Sequence, residues 1–231
     1  RAVFIAGRNT GGDLVRIHSV DFGEEGSFSL NDVAELTPAG DGWLEYVKGT
    51  AWALAGSGRS LAGWEGVLLG DVPVGAGLSS SAAVELAVAR AFHRGADWSW
   101  DAAAMAQLGQ RAENSWVGVN CGIMDQMISA CGKDGHALLL DCRSLQGQHV
   151  PLPDGVAVVV LDTSTRRGLV GSAYNERRAQ CEVAACFFSV GALRDVDEEM
   201  FASRMHALDE TPRCRARHVI SENARTERAA E

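Results

Sequence analysis

The six cysteines of this 231-residue sequence never form Cys-x-x-Cys, and its six histidines never pair at zinc-finger or His-Glu-x-x-His spacing. No zinc site is signalled. Cys121, Cys131, Cys142, Cys181, Cys186 and Cys214 therefore read as buried, reduced thiols. Positive charge is also short, with 21 Lys and Arg against 30 Asp and Glu, a net charge of −9 and a pI near 5.2. Such a chain has no broad positive field for a polyanion, so no nucleic-acid partner is expected. Its apolar runs fall far short of the ~20 residues of a membrane span, and no signal-peptide pattern appears. A cytoplasmic protein without a membrane partner is the expectation. No internal repeat or low-complexity tract stands out. The chain begins at Arg1, directly in the strand-like run Ala2 to Ala6 and without an initiator Met, which suggests a piece of something longer.

What is present is a mixed pattern. Leu14 to Val20 and Ser27 to Leu30 read as strands joined by tight turns, and Val67-Leu68-Leu69 as a strand closed by Gly70. From Trp43 to Ala55 the apolar positions follow a 3.6 period, as do Val84, Val88, Ala91 and Phe92. A further helix starts after Asp101, a plausible N-cap, with Met105, Leu108 and Ala112 on one stripe. His136 to Asp141 and Val156 to Leu161 read as apolar strands, Ser172 to Phe188 as a helix, and Arg215 to Ala230 as a charged helical tail. The uneven order favours an α+β layered fold. Pro151-Leu152-Pro153-Asp154-Gly155 marks the expected break between two domains, at residues 1–153 and 154–231.

The most informative stretch is Pro73-Val74-Gly75-Ala76-Gly77-Leu78-Ser79-Ser80-Ser81-Ala82-Ala83, a glycine-rich loop running into a helix. Glycines allow positive φ and close approach of a ligand to the backbone, and the first turn of a helix offers unpaired N–H groups and a partial positive charge. Together they suit phosphate, with three hydroxyls as extra donors or a metal ligand. A plain capped turn is the alternative, but it needs one serine and no paired glycines, and Glu85 stands four residues past Ser81, where a capping box wants three. The loop lacks the lysine of a Walker motif, and Ser80 takes the place of the last glycine of Gly-x-Gly-x-x-Gly. Asp21-Phe22-Gly23 has no accompanying His-Arg-Asp loop or Val-Ala-Ile-Lys strand and is set aside.

Two carboxylates follow. Glu113 lies four residues from Gly109 and eight from Met105, at the edge of the buried stripe; it is either a divalent-cation ligand or a solvated partner of a nearby Arg. Asp125 stands among Cys121, Gly122, Ile123, Met124 and Met127, where a carboxylate is either held by hydrogen bonds or set to take a proton. Phosphate loop, metal-type Glu and desolvated Asp together describe phosphoryl transfer. Tyr174 is flanked by Arg166-Arg167 and Arg177-Arg178, which read as surface charge or, near a phosphate site, as groups that stabilise transferred charge, and Trp43 and Tyr46 read as packing residues or the border of a nucleotide base.

Several strings now resemble one family, the GHMP small-molecule kinases, and within it the galactokinases: Pro73 to Ala83, Cys-Gly-Ile-Met-Asp-Gln at Cys121 to Gln126, His136 to Leu145, Leu169 to Arg178, and Ala216 to Thr226. The resemblance implies the two-domain GHMP kinase fold, with a left-handed βαβ-type N-terminal domain and part of a ferredoxin-like C-terminal domain. It implies ATP-dependent phosphorylation of D-galactose at the anomeric hydroxyl, giving α-D-galactose 1-phosphate. Gly75, Ala76, Gly77, Leu78, Ser79, Ser80 and Ser81 would wrap the ATP phosphates, with Ser81 and Glu113 on Mg²⁺. Asp125 would be the base or would orient the sugar hydroxyl, Tyr174 would touch the galactose, and Trp43 and Tyr46 would border the adenine. A monomer is expected. The family's Gly-Glu-His-Thr-Asp-Tyr-Asn sugar segment and its Gly-Gly-Gly-Phe-Gly-Gly motif do not occur in these 231 residues, so truncation at both ends is the expectation. The alternatives kept open are another sugar, such as N-acetylgalactosamine, and a non-catalytic regulator that senses sugar and ATP.

Overall fold

The alternation of the first residues becomes a sheet. In the computed structural model, which describes residues 1–40, 42–161 and 170–231, strands β1 (Val3–Asn9), β2 (Leu14–Ser19), β3 (Glu24–Ser29) and β4 (Trp64–Gly70) form one four-stranded sheet in the order β1-β4-β2-β3. β1 runs antiparallel to β4, with Val3 opposite Gly70, and β2 antiparallel to β3, with Leu14 opposite Ser29. β2 and β4 are parallel, with Arg16 opposite Glu65. Strand β2 shows the cause plainly: Val15, Ile17 and Ser19 are buried while Leu14 and Arg16 face out, the two-residue period of a half-covered sheet.

Helices α1 (Trp43–Gly56) and α2 (Ser80–His93) supply the cover. Val47, Ala51 and Leu54 from α1 and Val88 and Phe92 from α2 enter one core with Val15, Ile17, Trp64 and Leu68. Trp64 meets Phe92 edge-on at 5.9 Å, an arrangement that aromatic quadrupoles favour. Helix α3 (Ala102–Arg111) begins as its N-cap suggested, with the Asp101 side chain accepting the Ala104 N–H at 3.1 Å. A π-helical turn over Ala112–Val117 continues it, and α4 (Met124–Cys131) packs back on it through Ala106, Ile123 and Met127. The hairpin of β5 (His136–Leu140) and β6 (Gly147–Pro151) closes this part.

The chain divides into two compact units, residues 1–168 and 169–231. In the second, α5 (Val170–Phe188), α6 (Glu198–Arg204) and α7 (Glu210–Ala229) enclose a separate core of Ala184, Phe188, Leu193, Phe201 and Ile220. Among the described residues no helix is long and apolar enough to cross a membrane.

Two expectations are corrected. Val156 to Leu161 forms no strand: it is unpaired and open, with Val158 79% and Leu161 84% exposed. An apolar, β-branched run becomes a strand only when a neighbour supplies the ladder, and among the described residues none does. The cysteines form no disulfide, but they are not a buried set: Cys142, Cys186 and Cys214 are exposed, and the other three are half-buried.

Candidate active site

The glycine-rich loop takes up the backbone that its composition allows. Gly75 and Gly77 have φ of 73° and 75°, the left-handed region in which a Cβ is costly. Ser79 is the N-cap of α2 and is itself left-handed, at φ 61°, with no side-chain cap bond. The first backbone bond into the helix runs from the Ala83 N–H to the Ser79 carbonyl at 3.1 Å. The amides of Ser80, Ser81 and Ala82 are therefore free of backbone partners, the ordinary condition of a helix N-terminus and the reason such a terminus attracts anions.

Ser81 leads from this loop to the carboxylates, because its side chain is near enough to Glu113 to help hold that carboxyl down. Glu113 stands at the start of the π-helical turn and is 7% exposed as a residue. The turn ends at Gly118, left-handed at φ 86°, whose N–H and that of Val119 both donate to the Glu113 carbonyl, at 3.0 and 3.1 Å. A π turn inserted after an α-helix is a common device at functional positions. Burial pushes the Glu113 carboxyl above its ordinary range; bonds from Ser81, Cys121 and Gln126 oppose this, and the Asp125 charge adds to the rise.

Glu113 is one of three neighbouring carboxylates. Glu85 on α2 is fully buried, and Asp125 is half-buried in the first turn of α4, where a helix N-terminus favours negative charge. Burial drives the Glu85 carboxyl well above the ordinary range, with the Glu113 and Asp125 charges adding to it and the bond from Gln126 opposing. Gln126, also fully buried, donates its Nε2 to Glu113 Oε2 at 2.7 Å and to Glu85 Oε2 at 3.1 Å. Among the described residues no Lys or Arg forms an ion pair with any of the three carboxylates.

The remaining contacts shape the rim. The Cys121 thiol reaches Glu113 Oε2 at 3.4 Å and Asn114 Oδ1 at 3.2 Å. Burial and the Glu113 charge push that thiol up to about 12, so it stays protonated. Gln110 and Asn114 both donate to the Cys121 carbonyl, at 3.2 and 3.3 Å, and hold the loop before α4. Tyr46 on α1 senses the same cluster: burial, then the Glu113, Glu85 and Cys121 charges, raise its phenol to about 12.

The structure thus brings together the phosphate loop, Ser81, Glu113, Asp125 and Tyr46. Trp43 is engaged elsewhere, donating Nε1 to Glu24 at 3.0 Å and stacking on Phe22 at 6.4 Å. Tyr174 is a half-buried residue of α5, in the second unit. Arg177 and Arg178 are exposed, Arg178 pairing with Glu182 at 3.1 Å, and Arg166 and Arg167 lie outside the described residues. Reading by residue type missed Glu85 and Gln126. The signal for Glu85 was available, since it shares the buried stripe of Val88, Ala89 and Phe92, where an acid is out of place.

The donor set fits a hard cation. Among the described residues no cluster of three or more His, Cys, Asp or Glu is poised for a metal, but Mg²⁺ commonly takes one or two carboxylates and completes its octahedron with water and substrate phosphate. Ser81, in the first turn of α2, and Glu113, beside uncompensated acid, are oxygen donors of that kind.

Residues 45–133 match the family model described as the GHMP kinases N terminal domain. Among solved structures, a Lactococcus lactis galactokinase complexed with galactose is similar over 99% of this chain, with 32% identity and a TM-score of 0.85. The chain spans 61% of that protein's length. The Methanococcus jannaschii mevalonate kinase is similar over 55% of this chain and 41% of its own, at 18% identity and TM-score 0.50. A D-glycero-D-manno-heptose 1-phosphate kinase from Bacteriodes thetaiotaomicron is similar over 65% of this chain and 48% of its own, at 17% identity and TM-score 0.51. The last two speak for the fold alone. The chain has the GHMP kinase fold, and its residues 45–133 are similar to that family's N-terminal domain.

Proposed function

We propose that the protein to which this chain belongs is an ATP-dependent sugar kinase that phosphorylates D-galactose at its anomeric hydroxyl to give α-D-galactose 1-phosphate. The observation that carries the reading is the buried Glu113, with Ser81 from the first turn of α2 near enough to help hold its carboxyl down and Asp125 close enough for its charge to be felt at both Glu113 and Glu85. In this reading residues 1–153 are the N-terminal domain and 154–231 part of the C-terminal domain.

The residues divide the work as phosphoryl transfer requires, mostly by position and charge. The amides and hydroxyls from Gly75 to Ser81 bind the ATP phosphates. Ser81 and Glu113 would hold Mg²⁺, which would neutralise charge on the phosphate oxygens. Asp125 accepts the hydrogen bond of the sugar's anomeric O–H and takes its proton as that oxygen attacks the γ-phosphorus in line and ADP leaves. Tyr46 borders the nucleotide side with a neutral phenol, and Tyr174 contacts the sugar. The 32% identity to a galactokinase complexed with galactose supports the choice of sugar.

Two measurements test this. Mg·ATP raises the melting temperature of the chain, because a ligand at 100 times its Kd stabilises by about 2.7 kcal/mol; a flat titration overturns the nucleotide site. Asp125→Asn lowers galactose-dependent ADP release by about 10²–10⁴-fold, the usual worth of a positioned base, and leaves the melting temperature unchanged. Wild-type turnover by that variant removes Asp125 from the role.

A further inference from the structure

We infer that Gln126 is a positioning residue: its amide clamps the Glu113 carboxylate to the buried Glu85 and so sets the metal-binding oxygen and Asp125 in one rigid unit. The inference rests on the functional reading above and concerns how its metal site is held.

A primary amide nitrogen carries two hydrogens. Both are used here, one toward Glu113 Oε2 at 2.7 Å and one toward Glu85 Oε2 at 3.1 Å. In this orientation the amide nitrogen faces both carboxyl groups. Glu113 Oε2 also takes the Cys121 thiol. Oε2 thus takes two side-chain donors.

The arrangement is maintained at a cost. Gln126 Oε1 and Glu85 Oε1 are both buried without a hydrogen-bond partner, and a buried polar atom left unpaired is unfavourable. Unsatisfied buried atoms are rare, and a pair on one contact calls for an explanation. Gly109 adds an independent mark. A Cβ at that position of α3 would stand 3.1 Å from Glu85 Oε2 and 3.3 Å from Gln126 Cγ. A glycine inside a helix is less favourable than alanine, and here it opens the space in which Glu85 and Gln126 meet. Because Gln126 directly follows Asp125 in the first turn of α4, an amide tied to Glu113 and Glu85 also holds the backbone that presents Asp125.

The test is Mn²⁺ uptake by the full chain in the presence of ATP, read by electron paramagnetic resonance, beside ATP binding in EDTA. Gln126→Met keeps the shape of the side chain and removes both N–H donors. The expected result is a loss of Mn²⁺ affinity of about tenfold or more, the range seen when the partners of metal ligands are removed, with metal-free ATP affinity within about twofold of wild type. A role confined to stability would move both affinities or neither. If Gln126→Met fails to give a cooperative melt, Glu85→Met carries the same test, because it frees the far side of the clamp; Glu85→Gln keeps the acceptor and retains wild-type uptake. Folded variants with wild-type Mn²⁺ affinity overturn the inference alone. A wild-type chain that takes up no Mn²⁺ with ATP overturns the functional reading, and the inference falls with it.

Discussion

The same six-residue π-helical turn serves two buried acids, and they are treated in opposite ways. Trp116 donates Nε1 to Glu45 at 2.8 Å; Glu45 also takes Lys48 Nζ at 2.9 Å and the Ala39 N–H at 3.3 Å. Burial alone would raise that carboxyl, but Lys48, Trp116 and Ala39 outweigh it and hold Glu45 below its ordinary range. Three residues before Trp116, Glu113 shares its surroundings with Glu85 and Asp125 and has no cation. A buried acid therefore says little by itself. An acid whose charge is left uncompensated has an electrostatic need of the kind a divalent cation can meet.

Removing the compensation at Glu45 should give the largest effect. Glu45→Leu leaves Lys48 without its partner and the buried Trp116 N–H unpaired, and should destabilise by about 3 kcal/mol in urea unfolding, as breaking a buried pair does. A loss below about 1 kcal/mol would erase the contrast. The opposite sign is expected in the acid cluster: without metal at pH 8, Glu85→Gln should stabilise by about 1 kcal/mol, because it removes an ionisable group that the interior disfavours. The two sites should also differ in pH dependence. The folded value of Glu85 lies above the ordinary 4.5, so its contribution is fully present below that value and is lost as pH rises through the folded one. The folded value of Glu45 lies below 4.5, so its contribution is present above that value and is lost as pH falls through the folded one. The advantage of Glu85→Gln over wild type should then grow with pH above 4.5; an advantage independent of pH would contradict the placement of Glu85. The smallest effect concerns the thiol beside Glu113. With Cys121 pushed up to about 12, native alkylation at pH 8 followed by peptide mass spectrometry should saturate Cys142, Cys186 and Cys214 before Cys121 reacts.

Much of the site was legible along the chain because its chemistry is local. Gly75, Gly77 and the serines lie within a few residues of the helix they open, and positive φ and unpaired amides follow from that neighbourhood. Asp101 caps α3 for the same reason. Glu113 was visible only as a carboxylate at the edge of a stripe, and the π turn that buries it left no recognisable signature. Gln126 was part of a motif and carried no role. Its two bonds span 13 and 41 residues, and such contacts exist only once α2, α3 and α4 have packed. Val156 to Leu161 failed in the other direction, since its composition is that of a strand and its conformation depends on a partner.

The sequence by itself determined the α+β class, the helix and strand periods of the first unit, and the phosphate-type loop. Each depends on bonds and dihedral preferences within a turn or two of the residue concerned. The tertiary structure decided which acids are compensated, which oxygen of Glu113 is engaged, and why Gly109 carries no side chain. Those outcomes depend on the dielectric and on close packing between helices that are distant in sequence, and both arise only when the core closes.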